Sequence, residues 1–138
     1  MELVYDPFRS GGHSRHPRRL VESAALASEA RFHYFLDSVL ACHHAWGLCR
    51  GRHWLLIPTS SAQAALPLWP SWEHAEDWNA HQHTSWHKEY APRQIRKQEL
   101  VFELLPLLKG ENLLLAIFFV PENQGITIDP DGLLDWLI

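Results

Sequence analysis

The chain has 138 residues, a formal net charge of -4, 46% hydrophobic and 20% charged residues. That length suits one domain, and that much apolar material excludes disorder over most of it. The longest apolar run, residues 113–120, is far too short to span a bilayer, and the first residues lack the pattern of a secretory signal, so the expectation is a soluble cytoplasmic protein.

Between residues 9 and 19 lie Arg9, Arg15, Arg18 and Arg19, with no acid and little periodicity. Residues 1–19 therefore read as a flexible basic N-terminal arm, and residues 20–138 as a single α+β domain. Residues 20–43 contain no proline or glycine. There Val21, Ala25, Ser28, Phe32, Phe35, Leu36 and Val39 fall on one helical stripe. Residues 45–49 and 54–57 are short apolar runs joined by Arg50-Gly51-Arg52-His53, a hairpin signal.

The segment Ala65-Leu66-Pro67-Leu68-Trp69-Pro70 reads as a strand whose proline confines it to an edge or a bulge. Ser71 is a helix N-cap, with Glu73, Glu76 and Asp77 suiting the positive end of a helix that runs to about His81. After Pro92 a second helix places Leu100, Val101, Leu104, Leu105 and Leu108 on one face, with Pro106 predicting a kink or an early end. Residues 113–120 read as a strand buried on both faces, 121–125 as a turn and 125–128 as a returning strand. Asp129-Pro130 then starts a short helix ending near Trp136.

The expected order is helix, strand, strand, strand, helix, helix, strand, strand, helix. Tight turns between neighbouring strands predict an antiparallel sheet of about five strands with helices packed on it.

The "WGL" of residues 46–48, the "LPLWP" of residues 66–70, the leucine-rich helix, the 113–120 strand and Gly125-Ile126-Thr127-Ile128-Asp129-Pro130 occur in that order. In these features the chain resembles the bacterial proteins grouped as domain of unknown function 2750. The resemblance covers about residues 31–138 and implies a bacterial source and a single α+β domain. It carries no catalytic residue across, because the shared features are packing and turn elements.

Reactive constellations are few. Seven tryptophans are many for this length, and most belong in a core, with some left as surface anchors. His74, His81, His83 and His87 lie near Glu73, Glu76, Asp77 and Glu89. A metal needs three or four ligands converging at about 2 Å; within a helix His74 and His81, seven residues apart, cannot share an ion, whereas His83 and His87 at i, i+4 could if residues 82–90 are helical. His74, Trp78 and His81 share a helix face that offers an interaction surface instead. Cys42 and Cys49 read as small buried residues rather than nucleophiles. Thr59-Ser60-Ser61 is no nucleophile elbow, and the glycines form no phosphate loop.

Residues 110–138 hold five acids, Glu111, Glu122, Asp129, Asp131 and Asp135, and no base. With Trp78 and Trp136 as anchors, they define the expected partner-binding surface. The leading expectation is a non-catalytic protein-binding module without a cofactor. Its concrete version is an immunity protein that neutralises a secreted antibacterial toxin, such as a nuclease with a basic active site. The alternative is a metal-dependent enzyme using the 74–87 region. A membrane partner is not expected, and an acidic domain argues against nucleic acid despite the four arm arginines.

Overall fold

A computed structural model describes residue 23 and residues 26–82 and 89–138. The expected arm at residues 1–19 lies outside the described residues. Helix α1 (Ser28–Cys42) follows an extended Ala27 and buries Phe32, Phe35, Leu36 and Val39 at the expected spacing. Of the earlier part of the helix read from residue 20, Ser23 is helical and residues 20–22, 24 and 25 lie outside the described residues; the bend at Leu26 and the extended Ala27 interrupt it before α1. His43 closes it in the left-handed conformation (φ 64°), its N–H donating to the Val39 carbonyl at 2.8 Å.

That turn delivers the chain into β1 (His44–Arg50), which hairpins into the short β2 (His53–Trp54) with Arg50 opposite His53. Next come β3 (Ala65–Leu68) and α2 (Trp72–Ala80), whose N-cap Ser71 accepts from the His74 N–H as expected. A strand then occupies Ala91–Arg96, called β4, where a helix was expected after Pro92. It pairs antiparallel along β1 from His44↔Arg96 to Cys49↔Ala91. Its inward residues are Ile95 and Arg93, so a charged side chain hides the alternation.

The helix after β4, α3, is composite: an α turn at Lys97–Glu99, a π turn at Leu100–Leu104 and an α turn at Leu105–Gly110. The π turn is how the chain accommodates Pro106. In it the Leu105 N–H donates to the Leu100 carbonyl, one residue further back than in an α-helix. Pro106 then falls in the first turn of the resumed helix, where no N–H is required. The expected kink or early end is replaced by this wider turn. Strands β5 (Leu114–Ile117) and β6 (Ile126–Ile128) follow, then α4 (Pro130–Leu137), capped by the Asp129 carboxylate accepting from the Gly132 N–H at 3.0 Å.

The fold is mixed α+β. Among the described residues four helices accompany two three-stranded sheets, β2-β1-β4 and β3-β5-β6. This corrects the expectation of one antiparallel sheet of about five strands, because β3 runs parallel to β5. Pro67 shows why the sheets do not merge. The Ala64 and Leu68 carbonyls face β5, so Pro67 faces the other edge. On that edge the Ala65 N–H donates to Ile57 and the Trp69 N–H to Trp46, but Pro67 between them has no donor. The sheets thus meet at the isolated Trp46–Trp69 bridge on one side of the proline, while on its other side Ala65 bridges to Ile57 in the segment after β2; the edge is of the kind the sequence predicted.

The buried apolar residues form one cluster that includes Trp46, Trp54, Trp69 and Trp78. No helix among the described residues is long and apolar enough to cross a membrane. Gly47 is fixed by this packing. A Cβ there would lie 2.6 Å from Cζ3 of the buried Trp54 ring, a contact that forces the indole to shift. Gly47→Ala should destabilise the fold by about 1–3 kcal/mol, measured as a lower urea midpoint. Gly110→Ala, at a position with open space, should leave the midpoint unchanged or slightly raised.

Candidate functional site

Helix α4 is amphipathic in a way that separates anchor from frame. Pro130, Leu133 and Leu137 are buried, whereas Asp131, Asp135 and Trp136 face outward. The Trp136 indole is 51% exposed and rests edge-on against Phe32 and His33 of α1, at ring separations of 5.8 and 5.5 Å. An indole seated on aromatic neighbours with half its surface in water is held in place without being buried.

The five expected acids are all exposed, but they are not equivalent. Asp129 is used as the α4 cap, and Asp131 pairs with Lys109 at 3.0 Å. Glu111, Glu122 and Asp135 make no side-chain bond among the described residues, and Asp135 is next to Trp136 in the chain. Trp78 does not belong to this surface. It is 7% exposed, with its ring 5.3 Å from that of Trp69. The face read from His74, Trp78 and His81 is therefore mostly core, and only His81 is exposed. His74 is buried, its ring hydrogen-bonded to Ser71 Oγ and, at 2.8 Å, to Ser23 Oγ.

A second exposed region, which the sequence reading missed, lies where α1 ends and α3 begins. The β1–β4 register places His44 opposite Arg96, and the Lys97 N–H donates to the His43 carbonyl at 2.7 Å. Between these elements opens a groove of about 420 Å³, lined by His43, Arg96, Lys97, Gln98, Val101, Phe102 and Ile138. Phe102 is 75% exposed and stands in the π turn. Its signal in the sequence was an aromatic off the leucine face of α3, beside Glu103.

Two buried arginines frame these surfaces. Arg31 donates to the carbonyls of Leu26 (2.6 Å), Gln124 (2.9 Å) and Phe118 (3.0 Å), and burial lowers its pKa. Arg93 pairs with Glu99 at 3.2 Å and lies over the Trp54 ring at 5.0 Å. Beside that pair Cys49 is buried, and desolvation pushes its thiol up to about 12, despite the opposing pull of Arg93. Cys42, expected to be buried, is exposed at the end of α1.

Among the described residues no three His, Cys, Asp or Glu side chains gather closely enough to hold a metal ion. His83 and His87 lie outside the described residues. Residues 32–137 match the model of the family described as protein of unknown function (DUF2750). The chain belongs to that family. The matched region contains all five acids, Trp136 and every groove residue except Ile138, so both exposed regions lie almost wholly in the family domain. No curated protein and no solved structure matches the chain significantly.

The cysteines offer a direct check. Cys42 should react with an aromatic disulfide reagent in the folded protein, and Cys49 only after unfolding. Folded Cys49 keeps its proton where the unfolded thiol loses it, so stability falls as pH rises from 9.0 toward about 12. The slope attributable to this one group is at most about 1.4 kcal/mol per pH unit. Denaturation of Cys49→Ala across that range should lack it.

Proposed function

We propose that this chain is a non-catalytic, cytoplasmic protein-binding module, and that its binding surface centres on Trp136, with Asp135 next to it in the chain. The observation that carries this reading is the half-exposed Trp136 on its bench of Phe32 and His33. The other described tryptophans are buried or half-buried, so this one alone among them is exposed. Interfaces are enriched in such anchors, and a ring already positioned loses little conformational freedom on docking.

Charge supports a basic partner. Residues 110–138 hold five acids and no base, and the acids stand on the surface of the same segment. Complementary charge accelerates association and orients the partner. An immunity protein occupying the basic active site of a secreted toxin, a nuclease among them, is the specific form of this function that we favour. There Trp136 would fill a pocket while Asp135, Glu111 and Glu122 meet cationic side chains.

The test is affinity capture from lysate of the source organism, followed by titration of the retained protein. The wild-type chain should hold one protein in near-equal amount, with binding that weakens as salt rises. Trp136→Ala should weaken it about 30-fold, equivalent to about 2 kcal/mol. Retention of no protein, or equal affinity of the variant, would overturn the proposal.

A further inference from the structure

The groove between α1 and α3 differs from the α4 surface in the sign of its charge. Of the seven described lysine and arginine side chains four already have an acceptor, and the others are Arg52 on the β1–β2 turn, Arg96 and Lys97. Arg50 holds Glu89, Arg93 holds Glu99, Lys109 holds Asp131, and Arg31 holds three carbonyls. Arg96 and Lys97 have neither an ion pair nor a side-chain hydrogen bond among the described residues, and they are adjacent. Both line the groove with His43; no acidic side chain does, and the main-chain carboxylate of Ile138 makes no ion pair with either among the described residues.

The rest of the lining is apolar. Val101, Phe102 and Ile138 supply its apolar side chains, and Gln98 contributes an amide. Val101 is buried, whereas Phe102 and Ile138 are 75% and 82% exposed, so the apolar surface of these two side chains is uncovered. Two cations next to such a surface suit a ligand with a negative head and an apolar tail. A nucleotide or sugar phosphate would leave the apolar wall unused, and a neutral lipid would leave the cations unpaired. The volume of about 420 Å³ falls in the range of small-molecule sites, about 300–1,000 Å³.

The backbone gives reason to expect a formed site. The left-handed His43 cap, the His44↔Arg96 pair and the bond from the Lys97 N–H to the His43 carbonyl fix the cationic end. The π turn, which Pro106 accompanies, sets the position of Val101 and Phe102 one turn later. Turns of this kind are common at functional sites because they shift side chains out of the regular helical register.

We infer that this groove is a binding site for a small amphiphilic carboxylate, with Arg96 and Lys97 receiving the head and Val101, Phe102 and Ile138 the tail. The inference is independent of the protein-binding reading, since it uses neither Trp136 nor the acids of α4.

The test is calorimetric titration at neutral pH with decanoate as the probe. Acetate lacks the tail, decanol lacks the charge and decyltrimethylammonium reverses it. Decanoate should bind at one site, at least tenfold tighter than each of the other three. The double variant Arg96→Gln, Lys97→Gln, with an unchanged circular dichroism spectrum, should lose at least tenfold in decanoate affinity and little in decanol affinity. Phe102→Ser, whose exposed side chain carries little of the core, should weaken decanoate and decanol alike. Absence of decanoate binding, equal affinity for decanol, or an unaffected double variant would each overturn the inference. So would a groove that takes an acidic apolar peptide but not decanoate, which would make it a peptide dock.

Discussion

Three carbonyl oxygens from separate parts of the chain converge on one guanidinium, that of Arg31. The Leu26 carbonyl lies just before α1, the Phe118 carbonyl just after β5, and the Gln124 carbonyl in the turn before β6. Phe118 is fully buried yet has φ 53°, a conformation that costs a non-glycine residue of order 1–3 kcal/mol. Its neighbours hold it there. The Phe118 N–H donates to the Leu68 carbonyl at 2.8 Å, and the Trp69 indole N–H donates to the Phe119 carbonyl at 2.7 Å. Gly125 completes the arrangement, since a Cβ there would lie 2.0 Å from the Ile117 carbonyl oxygen. Only a residue without a side chain lets the return strand pass so close.

The surfaces depend on this clamp because α1 does. Arg31 ties the start of α1 to both ends of the β5–β6 connection, and Phe32 and His33 in the next positions form the seat of Trp136. The far end of α1 supplies His43 to the groove. A cation without a carboxylate partner among the described residues is an economical fastener here. Guanidinium offers five donors in a rigid fork, and its ordinary pKa is high enough that burial leaves it charged at neutral pH. Arg93 solves its own burial differently, with the Glu99 carboxylate and the Trp54 ring, and so joins β4 to the start of α3.

Much of the fold was legible in the sequence where local chemistry decides the outcome. Ser71 and Asp129 cap helices, Pro130 opens one, and the 3.6-residue stripe of α1 is its buried face. What could not be read depends on partners distant in the chain. Strand β4 was hidden because its inward Arg93 needs Glu99 to be buried, and β3 gives no sign that it lies parallel to β5. Trp78 and Trp136 look alike in sequence, each on a short helix among acids. Trp69 covers the first, while Phe32 and His33 only support the second. The groove was invisible for a similar reason: His43, Arg96 and Ile138 meet only through the register of β1 with β4 and the packing of α4.

Equilibrium unfolding of Arg31→Met, with Arg31→Lys beside it, tests most directly whether the frame hangs on this one side chain. Methionine fills similar space and donates nothing, and lysine cannot reach three carbonyls in a planar fork. Both should lose stability, the methionine variant by about 3 kcal/mol or more, and Trp136 fluorescence should report the change in α1 before the core tryptophans do. An unfolding midpoint for Arg31→Met equal to that of the wild type would contradict the account.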